Sequence, residues 1–173
     1  MPGSSKCQPI LNESVTTTEP RSDVTVREAT RADLLSVFRI EKASFAQPWP
    51  FVVIEQFLGE PGFLVATTQD GSNGETIIGY VIADTRSDSW GVRGHIKDLA
   101  VAPTHRRQGV AHHLLNRILG ILATRGADRV KLEVRRSNKP AISLYEQYGF
   151  RRHHVIPGYY DDGEDAIVME REI

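Results

Sequence analysis

A chain of 173 residues with 40% apolar and 25% charged content is long enough for one domain with its own core and too short for two of ordinary size. A formal net charge of -1 argues against a nucleic-acid binder, and no apolar run reaches the roughly 18 to 20 residues that span a bilayer. The single cysteine, Cys7, allows no internal disulfide and suits a reducing, cytoplasmic setting.

Residues 1–23 are rich in Ser, Thr, Pro and Glu, lack the basic-then-apolar order of a signal peptide, and read as a disordered tail before a domain over 24–173. A first strand at 24–27 precedes Thr30-Arg31-Ala32-Asp33, a capped helix start, and Leu34, Leu35, Val37, Phe38 and Ile40 keep helical spacing to Ala43. The stretch 45–50, with Pro48 and Pro50, breaks that helix, and a short one follows over 53–58. Strands at 63–67 and 76–84, joined by turn residues 70–74, predict a hairpin. A strand at 95–101 stops at Pro103, and a basic turn leads into a helix over 109–124. That helix turns Ala111, Leu114, Leu115, Ile118, Ile121 and Leu122 to the core and ends at Gly126. A strand at 129–135 sets Val130, Leu132 and Val134 against Lys131, Glu133 and Arg135. A helix at 140–148 closed by Gly149 and strands near 150–155 and 166–171 complete a single α/β (α+β) domain without internal repeat.

Charge is uneven along this order. Residues 106–136 hold eight Lys/Arg against Asp128 and Glu133, while 161–172 hold six acids against Arg171. A basic middle suits an anionic cofactor and an acidic end suits a cationic substrate; the plain alternative is solvated helix and loop faces.

The turn Arg106-Arg107-Gln108-Gly109-Val110-Ala111 has the chemistry of a phosphate site. The first N–H groups of a helix lack intrahelical partners and carry partial positive charge, two arginines stand beside them, and Gly109 lets a ligand approach the main chain. Neither the dinucleotide G-x-G-x-x-G nor the P-loop pattern is present. The turn resembles the R/Q-x-x-G-x-G/A signature with which GNAT acetyltransferases bind the pyrophosphate of acetyl-CoA, with Ala111 at the last position instead of the commoner Gly.

Three further blocks narrow the resemblance to the RimI-type amino-terminal (ribosomal-protein alanine) acetyltransferases of that superfamily. Residues 132–150, from Leu132-Glu133-Val134-Arg135 through Ser137-Asn138 and Leu144-Tyr145 to Gly149-Phe150, are similar to its L-E-V-R-x-S-N-x-x-A-x-x-L-Y-x-x-x-G-F block. Residues 40–49, beginning Ile40-Glu41 and ending Pro48-Trp49, resemble I-E-x-x-x-F-x-x-P-W, and 159–169 resemble Y-Y-x-x-G-E-D-A-x-x-M. The resemblance implies a mixed, splayed central sheet flanked by helices, with acetyl-CoA wedged where two parallel strands part and no metal. It implies Glu133 as proton acceptor and Tyr145 as proton donor. It also implies cofactor contacts from Asn138, from the backbones of Leu99, Ala100 and Val101, and from Arg106, Arg107, Gln108, Gly109, Val110, Ala111 and His112.

The residue types suit amine acetylation. An α-amino group has a pKa near 8, so about a tenth is neutral at pH 7, and a carboxylate acting through water is an adequate base for it. A tyrosine near 10 stays protonated to meet a thiolate near 8.5, and a strand N–H, foremost that of Val101, faces the oxyanion. With Cys7 in the tail, transfer is expected to be direct, in a ternary complex. Phe45, Trp49, Tyr159 and Tyr160 are expected to contact a protein or peptide N-terminus, for instance of a ribosomal protein or nascent chain, with no role for nucleic acid or membrane.

Each role has a structural rival. Glu133 can pair with Lys131 or Arg135, Tyr145 can be a packing aromatic, Asn138 can cap the helix at Pro140, and Trp49 and Phe51 can be core. His112-His113 and His153-His154 lie on different elements without further ligands at zinc spacing. The competing functions are acetylation of lysine or of a small amine, and acyl-CoA binding without turnover.

Overall fold

The computed structural model describes residues 23–69 and 74–173. The tail expected over 1–23 thus lies outside the described residues except for Asp23, as do Cys7 and residues 70–73 of the expected hairpin turn. In chain order the elements are β1 (Thr25–Glu28), α1 (Leu34–Ser44), α2 (Phe51–Glu55), β2 (Phe63–Gln69), β3 (Glu75–Asp88) and β4 (Gly91–Val101). After these come α3 (Val110–Thr124), β5 (Arg129–Arg135), α4 (Lys139–Gln147), β6 (Arg151–Ile156) and β7 (Ala166–Glu172). Among the described residues no helix is long and apolar enough to cross a membrane.

The strands form one seven-stranded sheet in the order β1-β2-β3-β4-β5-β7-β6. Every neighbouring pair is antiparallel except β4 and β5. One face, with Ile78, Val81, Ile96 and Leu132, is covered by Val110, Leu114, Leu115 and Ile118 of α3 and by Ile142 and Tyr145 of α4. The other, with Phe63, Val65, Tyr80 and Ile82, is covered by Leu34, Val37 and Ile40 of α1 and by Ile54 of α2. Burying each large apolar side chain contributes about 1.5–3 kcal/mol, so both helical layers are firmly seated.

Two irregularities position the site. The parallel ladder of β4 and β5 runs only from Arg93↔Arg129 to Ile96↔Leu132, although β4 continues to Val101 and β5 to Arg135. Past Ile96 the strands part, as the resemblance implies. Just there β3 and β4 slip register: Ile82 pairs Asp98 and Ala83 pairs Ile96, leaving Lys97 extra. Such a bulge bends a strand and re-aims the side chains beyond it. His95 and Asp98 stand three apart, a spacing that an unbroken strand sends to opposite faces. Here both turn to the α1 side, His95 meeting Glu133 and Asp98 meeting Tyr80.

Several boundaries differ from those expected of the sequence. Strands β3 and β4 run out to a tight turn, with Asp88 paired to Gly91; Thr85-Arg86-Ser87-Asp88 is polar and carries no apolar alternation to reveal it. Helix α2 starts at Phe51 behind Pro50 and dissolves into turns after Glu55, with Phe57 N–H to Ile54 O and Leu58 N–H to Glu55 O at 3.1 and 3.0 Å. Phe51 packs edge-on against Phe38 at 5.6 Å between ring centroids, a core role. On α3, Ala111 and Ile121 are only half-buried, while Val110 and Leu119 are buried. The buried stripe is wider than the expected face because the helix lies flat across several strands.

Candidate active site

Where β4 and β5 part, a cavity of about 640 Å³ opens, walled by Ile96, Lys97, Asp98 and Leu99 on one side and Leu132, Glu133, Val134 and Arg135 on the other. Past Ile96, β4 has no strand on its β5 side. The ladder groups that it turns that way from Leu99 to the Val101 N–H are open to pair with an extended ligand, while Val101 O accepts from Arg106. Asn138 and Tyr145 add the α4 wall, and Phe45, Trp49, Tyr159 and Tyr160 line the same space. The structure thus brings both expected catalytic side chains and all four expected substrate aromatics to one cavity.

The turn expected to hold a phosphate lies beyond Val101. Arg107 has φ of 62° and Gly109 of 80°, a left-handed alternation that turns successive N–H groups to one side. Helix α3 begins behind it. His112 N–H and His113 N–H reach Gly109 O at 3.0 and 3.3 Å, while the N–H groups of Val110 and Ala111 have no hydrogen bond among the described residues. Ala111 is helical, so the missing glycine costs nothing. Arg106 is turned away from this turn: its guanidinium donates to Val101 O and Ser44 Oγ, both at 3.1 Å, and braces the end of β4 against α1. Gln108 donates to Thr104 O at 3.2 Å, and His112 Nδ1 lies 3.1 Å from the Tyr148 hydroxyl. The exposed Arg107 is therefore the side chain best placed to meet a diphosphate.

Glu133 is held from two sides. Oε2 lies 2.6 Å from His95 Nε2 and Oε1 3.0 Å from Lys131 Nζ. Burial would raise this carboxyl; the bonds and charges of His95, then of Lys131, outweigh it and hold the group at about 2. The expected pairing with Lys131 is present; that with Arg135 is not, and His95 takes its place. Tyr145 is buried, with its ring edge-on to Phe150 at 5.8 Å and its hydroxyl without a hydrogen-bond partner among the described residues. Burial foremost, then the nearby Asp98 and Tyr160, raises its pKa. Asn138 does cap α4: its Oδ1 accepts from Ala141 N–H at 3.2 Å.

The side of the cavity that carries Tyr160 is built on arginine. The Arg135 guanidinium sits 3.9 Å from the centre of the Tyr160 ring and donates to Asp162 and Glu164, each at 2.8 Å. Arg136 reaches Asp165 at 3.2 Å, and Arg129 reaches Glu170 and Glu172 at 3.7 and 3.3 Å. Most of the acidic end is thus paired with this chain's own arginines, in place of a field for a cationic substrate. Of these six acids, Asp161 alone lines the cavity without an arginine beside it. Opposite, Trp49 stacks on Phe57 at 5.9 Å, and its backbone N–H donates to Glu41 Oε1 at 2.6 Å.

Four residues of this region were not singled out from sequence: His95, and the trio Glu41, Tyr80 and Asp98. Tyr80 Oη is hydrogen-bonded to Glu41 Oε2 and lies 2.8 Å from Asp98 Oδ2. The available signal was an acid inside each of two apolar patterns, Glu41 on the core stripe of a helix and Asp98 within a strand. Among the described residues no group of three or more His, Cys, Asp or Glu is arranged to hold a metal ion.

Comparison with known proteins agrees with this geometry. Residues 30–150 match the model of the acetyltransferase (GNAT) family. The chain is 32% identical over 165 residues to an N-alpha-acetyltransferase of Saccharolobus solfataricus, a match covering 87% of this chain and 94% of that protein. It is 32% identical over 148 residues to the ribosomal protein bS18-alanine N-acetyltransferase of Escherichia coli, covering 84% of this chain and 95% of the relative. Its fold matches the crystal structure of Ard1 from Thermoplasma volcanium with a TM-score of 0.78 at 28% identity, over 87% of this chain and 98% of that one. A strand pair parted over a cavity, a left-handed turn capping α3 and these likenesses converge: the chain belongs to the acetyltransferase (GNAT) family and is an acetyl-CoA-dependent N-acetyltransferase.

Proposed function

We propose that the acceptor is the α-amine at the amino terminus of a protein, a ribosomal protein or a nascent chain, and that it attacks acetyl-CoA directly in a ternary complex. The observation that carries this reading is the cavity itself, with Glu133 and Tyr145 on its walls and the aromatics Phe45, Trp49, Tyr159 and Tyr160 around its acceptor side. The relatives named as acting on α-amines support it. Rings with polar tips suit a short peptide segment, whose backbone they can bond while its side chains vary.

A carboxylate at about 2 keeps no proton near neutral pH. Glu133 therefore meets the amine ionised: the carboxylate draws the amine's proton through water and passes it on to solvent, while His95 at 2.6 Å keeps the carboxylate in place. The neutral amine attacks the thioester carbon, the open N–H of Val101 meets the oxyanion, and Tyr145 protonates the departing thiolate. Bound acetyl-CoA supplies the activated acetyl group. Arg107 and the N–H groups of Val110 and Ala111 would hold its diphosphate, and the open edge of β4 its extended arm.

Peptides with free and with blocked α-amines, each with and without lysine, separate the acceptor classes by mass spectrometry. Acetylation confined to free α-amines is expected; transfer to blocked, lysine-bearing peptides sinks the reading. Comparing the acetylation of proteome amino termini with and without this protein then identifies the acceptors. For the cofactor turn, Arg107→Glu is expected to weaken acetyl-CoA about tenfold, or about 1.4 kcal/mol, by setting a like charge beside the diphosphate. Calorimetry should show peptide affinity unchanged.

A further inference from the structure

The acceptor nitrogen loses two protons per turnover: one from the ammonium before attack, one as the amide forms. Glu133 accounts for the first. Within the cavity the reaction so far leaves Asp98, Tyr80 and Glu41 without a task. Asp98 keeps part of its surface on the cavity and bonds Tyr80 Oη at 2.8 Å; Tyr80 bonds Glu41, which also accepts the Trp49 backbone N–H at 2.6 Å. A phenol carries one hydrogen, which points to one carboxyl at a time. Two carboxyls on one phenol oxygen therefore require that one bring a proton of its own. Glu41 already accepts from a backbone amide with its other oxygen. The extra proton belongs to Asp98, whose carboxyl is raised well above its usual range by burial and then by the charge of Glu41.

We propose that Asp98, wired through the Tyr80 phenol to Glu41, is a second proton-transfer residue of this site, linking the acceptor nitrogen to Tyr145. The proposal rests on the acetyl transfer described above. As the C–S bond breaks, the Tyr145 O–H bond breaks and S–H forms. Asp98 then gives its proton to the Tyr145 phenolate through solvent in the cavity they share. The carboxylate so formed takes the nitrogen's second proton: N–H breaks, O–H forms, and the pair left on nitrogen joins the amide. The first proton, drawn off by Glu133 through water, leaves to solvent, so one proton is released per turnover. While Asp98 is ionised, the single hydrogen of Tyr80 swings from Glu41 to Asp98 and stabilises it, a response that an isolated acid lacks. The groups facing Asp98 are Glu41 from α1, Tyr80 from β3, Tyr145 from α4 and, across the cavity, Glu133 from β5.

Asp98→Asn is expected to lower kcat about 10²-fold while KM for peptide and acetyl-CoA stays within about twofold, the signature of a group used only in the transition state. Tyr80→Phe, which keeps the ring and removes the switching hydrogen, is expected to lower kcat about tenfold. Acetyl-CoA affinity by calorimetry should match wild type in both, and the dependence of rate on deuterium content should change from curved to linear in Asp98→Asn. The proposal is overturned if kcat of Asp98→Asn stays within about threefold of wild type, or if either variant loses rate only in step with acetyl-CoA affinity. Should Asp98→Asn fail to fold, Tyr80→Phe decides by the same readouts. Wild-type activity on the peptide panel tests the acceptor class separately, since each variant is compared with wild type on whichever amine the enzyme accepts.

Discussion

Tyr145→Phe is expected to lower kcat by about 10²–10³-fold and to leave acetyl-CoA affinity unchanged, because a general acid is used only as the thiolate departs. The variant should be about as stable as wild type. The ring is buried, and the hydroxyl faces the cavity with no hydrogen-bond partner among the described residues, so removing the oxygen breaks no bond within the protein. Loss of rate without loss of stability is the combination that separates a catalytic phenol from a packing aromatic. Steady-state kinetics with thermal unfolding reads both. Unchanged kcat would assign Tyr145 to packing alone, with its edge-on contact to Phe150 as its main role.

Glu133→Gln is expected to lower kcat by about 10²-fold or more and also to destabilise the fold, by about 1–3 kcal/mol near neutral pH, since it weakens two charge-assisted bonds. The pH dependence comes from the direction of the shift. The carboxyl sits at about 2 in the folded protein against an ordinary 4.5, so the ionised form is favoured by folding. Its contribution is complete above the unfolded value and is lost as pH falls from there toward about 2. Unfolding curves of wild type and Glu133→Gln should therefore differ at neutral pH and converge near pH 2. A gap that stays constant down to that pH would mean that His95 and Lys131 do not hold the charge.

The two carboxyl systems divide the proton chemistry by environment. Glu133 is held down by His95 and Lys131, while Asp98 is held up by burial and by Glu41. Groups whose surroundings push their proton affinities apart are suited to opposite tasks, one shedding protons and the other retaining them. The bulge at Lys97 is what lets β4 contribute to both, with His95 before it and Asp98 after it.

Much of this molecule was legible in its sequence because the signals are local. The β5 alternation, the proline and glycine that bound α4, and the glycine opening α3 each act within a few residues, and the structure keeps them nearly in place. The blocks around Trp49, Glu133, Tyr145 and Tyr159 pointed to one cavity, and the structure assembles it from all four. The partners were not legible. His95 lies 38 residues from Glu133, Tyr80 lies 39 from Glu41, and Arg106 reaches Ser44 across 62. Side-chain pairing at such separations depends on sheet order, and the order itself places β5 beside β4 and β7 between β5 and β6.

The elements and the α/β fold could be read from the chain, since propensity, capping and periodicity involve near neighbours, and the acetyltransferase family could be read from the resemblance of its motifs. Packing settled which acid is paired down and which is raised, and it turned Arg106 to brace the end of a strand. Burial and charge partners set those outcomes, and for the two acids they arise where β4 slips one residue against β3 and its ladder with β5 ends.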